Sequence, residues 1–97
     1  MMENIHVTKA FLGVAGVSLE HGLLMYSSAQ ARINAAFVRS ANHVTVLVDS
    51  SKFASNFIYR VAPLSDVDRI ITDSKIESGI RRALEQAGPE LIIVKNR

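Results

Sequence analysis

The sequence predicts an α/β protein with a largely parallel sheet, and two observations lead to that class. Apolar runs rich in β-branched residues alternate with segments of helical periodicity, in the order strand, helix, three strands, helix, strand. Several of these runs are apolar on both faces, which is typical of strands buried inside a parallel sheet. The length of 97 residues is sufficient for one small domain.

The composition excludes several classes of protein. The formal charge is +2, and apart from Arg81 and Arg82 the basic residues stand singly, so no basic stripe indicates a nucleic-acid-binding face. The chain has no cysteine, and its three histidines lack metal-ligand spacing. We therefore expect neither a metal nor a cofactor. With no signal peptide and no run of about 20 apolar residues, we expect a soluble, cytoplasmic chain without membrane contact.

The first predicted element is a long apolar strand. Residues 9–19 are almost entirely apolar and predict one continuous buried strand. Gly13 and Gly16 lie three residues apart, where the missing side chains would let backbone or a ligand approach closely. Residues 20–22 then predict a turn.

After this turn the period of the apolar residues becomes helical. We expect a helix over residues 27–40, capped by the hydroxyl of Ser27 or Ser28. Asn42 and His43 are expected to end it. The apolar residues that recur at helical spacing predict its buried face: Ala29, Ile33, Ala36, Phe37 and Ala41.

Four more strands are predicted in the second half of the chain. Residues 43–48 form a β-branched run and are a strong strand candidate. Residues 57–62 predict a weaker strand that ends at Pro63. Two short apolar runs, residues 69–72 and 91–94, predict the last two buried strands.

Helix-capping residues bound the second predicted helix. Ser74 and Glu77 fit a capping box, in which each side chain accepts from an exposed backbone N–H group. Gly88 lies where a left-handed C-cap belongs, and Pro89 prevents the helix from continuing. The predicted apolar face consists of Ile76, Ile80, Ala83, Leu84 and Ala87.

Two polar loops follow buried strands with the same residue types. Asp49, Ser51 and Lys52 end the first strand, and residues 73–75 repeat Asp, Ser and Lys after the second. Ligands of open α/β sheets bind outside the carboxyl ends of the strands. The Lys52 ammonium would neutralise a phosphate or carboxylate, and Asp49 would accept from sugar hydroxyls or fix Lys52. The alternative is that these residues only shape a turn.

The second of these loops is the weaker candidate. Ser74 already has a sufficient role as a helix cap, which favours a structural function for residues 73–75. No pair of carboxylates is predicted to converge on one substrate, so a catalytic role has little support from the residues.

Taken in order, these segments resemble the DeoR-type bacterial transcriptional regulators. In that family a strand similar to residues 9–16 is followed by a turn similar to residues 21–23, and then by a helix. The next strand closes on a D-S-K-F motif, here residues 49–53. A P-L-S-D stretch and an I-T-D strand end come next, here residues 63–68 and 71–73.

The resemblance implies a fold, a function and a set of contacts. The family's sensor domain has a Rossmann-like, mostly parallel sheet flanked by helices, and it shares its fold with ribose-5-phosphate isomerases and CoA transferases. It implies an effector-binding domain of a repressor of sugar metabolism, which binds a phosphorylated sugar or related metabolite, forms oligomers and does not catalyse. Asp49, Ser51 and Lys52 become effector-contact candidates, together with Gly16.

The sequence departs from the family in two respects. The family carries an N-terminal winged helix-turn-helix and a first half of the sensor domain, neither of which we identify in residues 1–97. We therefore expect a single partial domain, the C-terminal half of the sensor, with DNA contact only through a helix-turn-helix outside this chain. In the first helix, Gln30 and Asn34 stand where the family commonly has an acidic residue and a lysine. We include both as effector-binding positions and expect weaker phosphate binding.

Two alternatives remain beside the sensor function. One is a small enzyme of the sugar-phosphate isomerase type that uses Asp49 and Lys52. The other is a truncated interaction module, because a partial sheet with an unpaired edge tends to self-associate.

Overall fold

A computed structural model describes residues 7–54 and 59–95 of the chain. Its strands and helices are β1 (Val7–Gly13), β2 (Gly16–Ser18), β3 (Gly22–Met25), α1 (Ser28–Ser40), β4 (Ala41–Leu47), β5 (Tyr59–Ala62), β6 (Arg69–Asp73), α2 (Ser78–Ala87) and β7 (Glu90–Val94). Short 3-10 turns at Ser50–Ala54 and Leu64–Asp66 connect β4 to β5 and β5 to β6. The α/β class predicted from the sequence is confirmed.

The main sheet is parallel and has the strand order β1-β4-β6-β7. The strands predicted at residues 43–48, 69–72 and 91–94 are confirmed as β4, β6 and β7. Their β-branched residues fit a pleated, buried surface, as the central Val46 and Ile70 illustrate: both are fully buried and lie side by side. The parallel sheet with its flanking helices is consistent with the predicted Rossmann-like fold.

Both helices lie on one face of this sheet. In chain order, each new parallel strand is added at the same edge of the sheet, β4 beside β1, β6 beside β4 and β7 beside β6. Right-handed connections between such strands all pass over the same face of the sheet. The core confirms this, because Val38 of α1 and Leu84 of α2 belong to one cluster with Val46 and Ile70. The opposite face is not covered by any element that the structure describes.

A second, antiparallel sheet of order β2-β3-β5 completes the core. The prediction of one continuous strand over residues 9–19 was wrong, because the chain leaves the parallel sheet after Gly13 and enters this sheet at Gly16. The N–H group of Ala15 donates to the Leu24 carbonyl at 3.0 Å and fixes the change of direction. An apolar run carries no signal for such a break, because both segments are buried.

The turn before β3 is confirmed and requires glycine. Ser18 Oγ accepts from the N–H groups of Glu20 and His21, which closes the turn at residues 20–22. Gly22 has φ +84°, and a Cβ at this position would overlap the carbonyl oxygen of Ala62 on β5. Gly22 therefore allows both the turn and the close pairing of β3 with β5.

The strand predicted at residues 57–62 is confirmed only in part. Residues 57 and 58 lie outside the described residues, and residues 59–62 form β5. This strand pairs with β3 in the small sheet instead of joining the parallel sheet.

Helix α1 starts where the sequence predicts, but its buried face matches the prediction only in part. Ser27 is the N-cap, and its Oγ accepts from the Gln30 N–H group at 3.2 Å. The predicted apolar face is confirmed only in part. Phe37 and Ala41 pack against the core, whereas Ala29 is exposed and Ile33 is 56% exposed. The buried residues are Ala31 and Val38. Alanine recurs all around this helix, so its composition does not specify one face.

The predicted end of α1 at residue 40 is confirmed, but the prediction that Asn42 and His43 end the helix was wrong. The helix ends at Ser40, and β4 begins at Ala41 without a connecting loop. Asn42 and His43 therefore lie within the strand. Ser40 Oγ donates to the Ala36 carbonyl one turn earlier, so the last helical turn is closed by a side chain.

Helix α2 begins later than predicted. Its first residue is Ser78 and its N-cap is Glu77, so the capping box at Ser74 was wrong. Residues 74–76 form a turn in which the Ile76 N–H group donates to the Asp73 carbonyl at 3.3 Å. The C-cap prediction is confirmed, because Gly88 has a positive φ of 119° that favours glycine.

Within the described residues, neither helix is long and apolar enough to cross a membrane.

Candidate functional site

Two loops leave neighbouring strands at the carboxyl edge of the parallel sheet, the 49–52 loop after β4 and the 73–75 loop after β6. The strands pair in register, with Leu47 beside Ile71. The ladder continues one residue further, because the Val48 N–H group donates to the Ile71 carbonyl at 3.1 Å. The sequence placed these loops at one edge, and the structure brings them side by side.

Asp49 organises the 49–52 loop from within. One of its carboxylate oxygens, Oδ1, accepts from both the N–H group and the hydroxyl of Ser51, at 2.7 and 2.6 Å. The Lys52 N–H group donates to the Asp49 carbonyl at 3.0 Å. The Ser51 hydroxyl, its N–H group and the charge of Lys52 lower the pKa of Asp49. Asp49 is therefore ionised at neutral pH, and its second oxygen has no bond within this turn.

Lys52 is held at its backbone while its side chain is half-buried. It lies in the 3-10 turn Ser50–Ala54, and the next residue, Phe53, packs against the hydrophobic core. Phe53 anchors the loop from below, a role that its aromatic side chain in the D-S-K-F motif could have indicated. An ammonium on an anchored turn is suited to bind a phosphate or carboxylate.

Asp73 joins the two loops. Its Oδ2 accepts from the Ser50 N–H group at 2.8 Å, and its Oδ1 accepts from the Lys75 N–H group at 3.0 Å. The N–H group and the hydroxyl of Ser50 are the main causes that lower the pKa of Asp73. The sequence predicted a structural role for this loop through Ser74, whereas the structure assigns that role to Asp73.

Gly16 lies next to this edge. It is buried in β2, and β2 packs against the 3-10 turn that carries Lys52. The sequence indicated close approach by backbone or a ligand at Gly16, and within the described residues the element that approaches is the 49–52 loop's own turn.

Gln30 and Asn34 lie in the first two turns of α1. Because α1 lies in the connection between the parallel strands β1 and β4, it returns antiparallel to them, and it is about 20 Å long against about 23 Å for β4. Its N-terminus is therefore level with the carboxyl edge, which is the edge of the 49–52 loop. Gln30 is exposed and Asn34 is half-buried. α1 packs chiefly on β5 and β1, so these two positions flank the loops and are not bonded to them in any interaction that the structure describes.

The chemistry of this edge suits recognition of a polar metabolite. It presents two ionised carboxylates, two ammonium groups and several hydroxyls within two short loops. Both carboxylates accept hydrogen bonds that hold them in the charged state, and a general base instead needs a pKa near the working pH. Among residues 7–54 and 59–95, no three His, Asp or Glu side chains form a metal-binding group.

Comparison with known proteins decides the family. Residues 1–74 match the family described as the DeoR C terminal sensor domain. The chain belongs to this family.

Curated relatives of this sensor domain are transcriptional regulators. The chain is 32% identical over 93 residues to a putative aga operon transcriptional repressor of Escherichia coli O157:H7, covering 96% of this chain and 35% of the relative. It is 31% identical over 94 residues to the HTH-type transcriptional repressor GlcR of Bacillus subtilis, covering 97% and 36%. A glycerol-3-phosphate regulon repressor of Escherichia coli is 32% identical over 63 residues, covering 65% and 25%.

The chain thus spans about a third of the length of the curated relatives that it matches over nearly its whole length. The family is a regulatory sensor domain, and its matched members are transcriptional repressors. This sensor domain is accordingly a regulatory domain and not an enzyme, and the isomerase alternative was wrong.

Proposed function

We propose that this sensor domain binds a phosphorylated sugar or a related metabolite and thereby controls a repressor of sugar metabolism. In this proposal, residues 1–97 are the C-terminal half of a longer sensor domain. DNA contact belongs to a winged helix-turn-helix outside these residues, and the regulator works in the cytoplasm where its operator lies.

One observation carries the proposal: an anchored ammonium and an ionised carboxylate occur together at the carboxyl edge of a parallel sheet. Lys52 would bind the phosphate, because hydrogen bonds between charged groups are about twice as strong as neutral ones. Asp49 has a second carboxylate oxygen available for a sugar hydroxyl, and Ser51 adds a hydroxyl beside it. Gly16 belongs to β2, which packs against this turn, and we include it as an effector-contact position.

Gln30 and Asn34 adjust the same site in this proposal. Both flank the carboxyl edge from the first turns of α1. Neutral amides at these positions would replace one negative and one positive charge of the usual family pattern. We therefore expect the phosphorylated sugar to bind more weakly than it would with a lysine at position 34.

The proposal is tested by following thermal unfolding of the purified chain with matched pairs of compounds. Suitable pairs are glucose and glucose 6-phosphate, fructose and fructose 6-phosphate, and glycerol and glycerol 3-phosphate. A compound present at about 100 times its Kd should add roughly 2.7 kcal/mol to the free energy of unfolding. We expect stabilisation by at least one phosphorylated member and by none of the unphosphorylated partners. Equal responses within every pair, or no response at all, would contradict the proposal.

A second feature supports self-association. The uncovered face of the parallel sheet carries Phe11, Leu47 and Val94, which are 62%, 46% and 53% exposed. Phe11 aligns with Thr45 and then Arg69, and Val94 aligns with Asp73, so the three apolar side chains share this face. Parallel sheets are normally covered on both faces. A second copy of the chain would cover it by a two-fold contact between identical surfaces.

Light scattering across a concentration series tests this association. We expect a dimer for the natural chain and a monomer for Phe11→Lys, with Ile33→Lys on the exposed face of α1 as the control that stays dimeric. A strict monomer at every concentration would mean that this face is not a contact between copies.

A further inference from the structure

Asp73 makes a connection that Asp49 does not. Its two carboxylate oxygens accept from different loops, Oδ2 from Ser50 and Oδ1 from Lys75. Among the hydrogen bonds that the structure describes, the carboxylate of Asp49 accepts only from Ser51, inside its own loop. The 49–52 loop is thus connected to the neighbouring strand end through the Asp73 carboxylate.

The hydrogen bond from the Ser50 N–H group to Asp73 lies where the 49–52 loop leaves the parallel sheet. Among the bonds that the structure describes, the backbone bond between Val48 and Ile71 is the one nearest this end of β4 and β6, and the Asp73 carboxylate makes the next connection. Ser50 is the first residue of the 3-10 turn Ser50–Ala54, so fixing its N–H group fixes the start of the turn. Lys52 lies two residues further, within the same turn. A hydrogen bond from an N–H group to a carboxylate is charge-assisted and shorter than most neutral hydrogen bonds. The distance of 2.8 Å between Ser50 N and Asp73 Oδ2 agrees with this.

We propose that Asp73 is a positioning residue for effector binding, which holds the 49–52 loop in the conformation that presents Lys52 to an anion. The choice of an anion as the ligand rests on the proposed function, whereas the contact between Asp73 and the 49–52 loop is seen in the structure. Asp73 need not touch the effector. Its contribution is that the loop is ordered before binding, which lowers the entropy lost when the anion binds.

The same strand supplies a matched control at its other end. Asp68, just before β6, accepts from the Val44 N–H group through Oδ2 at 2.7 Å. This bond also joins a β6-flanking aspartate to the β4 chain, but at the amino edge of the sheet. Asp68→Asn and Asp73→Asn each replace a charged acceptor of the β4 chain by a neutral amide. Because an amide has one acceptor oxygen, Asp73→Asn also loses one of its two hydrogen bonds, and only Asp73→Asn affects the edge that carries Lys52.

The experiment combines amide hydrogen exchange with calorimetric titration of glucose 6-phosphate, fructose 6-phosphate, glycerol 3-phosphate and inorganic phosphate. In the unliganded protein we expect faster exchange at residues 50–52 for Asp73→Asn and unchanged exchange there for Asp68→Asn. For whichever probe binds the natural chain, we expect affinity roughly 3- to 10-fold weaker in Asp73→Asn and unchanged in Asp68→Asn. Equal effects of the two variants on both measurements would overturn the inference, because Asp73 would then act only through overall stability.

A second variant makes the test possible even if Asp73→Asn does not fold. Ser50→Pro removes the donor and leaves Asp73 intact, at a first helical position that tolerates proline. It should weaken binding to a similar extent. If none of the four probes binds the natural chain, the proposed function fails and the effector role of Asp73 fails with it. The exchange rates at residues 50–52 still decide separately whether Asp73 holds the loop.

Discussion

The 49–52 loop and the 73–75 loop contain the same residue types, yet they are held in different ways. In the first, the Asp49 carboxylate closes a turn on Ser51. In the second, the Asp73 carboxylate accepts from Lys75 and also reaches across to Ser50. A strand-end aspartate can thus shape its own loop or fix its neighbour's. β4 and β6 are both interior strands of the parallel sheet, so position in the sheet alone does not decide which role the aspartate takes.

The two loops also differ in what supports them. The 49–52 loop is backed by β2 and anchored by Phe53 in the core. The 73–75 loop leads through an exposed turn to α2, which begins only at Ser78. The candidate effector contacts lie on the better-supported loop.

The largest effect is expected where the small sheet supports the first loop. Gly22→Ala forces a non-glycine residue into φ +84° and drives its Cβ into the Ala62 carbonyl. We expect the free energy of unfolding to fall by about 3 kcal/mol, measured by urea denaturation. The control is Gly13→Ala, where a Cβ meets no atom within 4 Å. Equal losses in the two variants would contradict the role given to Gly22.

A smaller effect is expected from Thr72, which precedes Asp73 as Val48 precedes Asp49. Thr72 is 3% exposed, and its Oγ1 is a buried hydroxyl without a hydrogen-bond partner. Thr72→Val makes the second strand end resemble the first and removes this unsatisfied group. We expect stabilisation of about 1 kcal/mol by urea denaturation.

The reverse substitution tests the same explanation. Val48→Thr buries a new hydroxyl and should destabilise by about 1–2 kcal/mol. A clear loss of stability in Thr72→Val would show that its hydroxyl is bonded.

The smallest effect is expected from pH. Hydrogen bonds hold the pKa of Asp49 and of Asp73 below the ordinary value of 3.8. A lowered pKa stabilises the folded state above pH 3.8, and this contribution is lost as the pH falls below 3.8 through the folded-state pKa. Because Asp49 is exposed and Asp73 is only half-buried, the change is small, and carboxyl chemical shifts in an NMR titration are the suitable measurement. Either carboxyl titrating above 3.8 would contradict the bonds to Ser51 and Ser50.

The parallel sheet could be predicted from the sequence because its strands are short, β-branched and bounded by polar loops. Residues 43–48 and 69–72 show this pattern, and it also placed the candidate loops at one edge. Ser27 and Gly88 could be predicted as caps because their roles depend on local geometry alone.

The second sheet could not be predicted, and the reason is physical. Residues 9–19 are almost entirely apolar, so burial in one sheet cannot be distinguished from burial in two. β3 begins directly after the turn and has only four residues, so residues 22–25 show no periodicity that would identify a strand. The contact between Asp73 and Ser50 also depends on which strands are neighbours, which a local motif does not contain. The early cap predicted at Ser74 failed because the Asp73 side chain already satisfies the turn.

The central claim is that the 49–52 loop, and not its near-copy, carries the anion contact. Lys52→Ala and Lys75→Ala remove the same charge from the two loops, so both alter the net charge equally. Calorimetric titration with glucose 6-phosphate, or another phosphorylated sugar that stabilises the natural chain, compares them directly. The account predicts that Lys52→Ala lowers affinity about 10- to 100-fold while Lys75→Ala changes it less than about twofold. Equal losses, or a larger loss for Lys75→Ala, would contradict it.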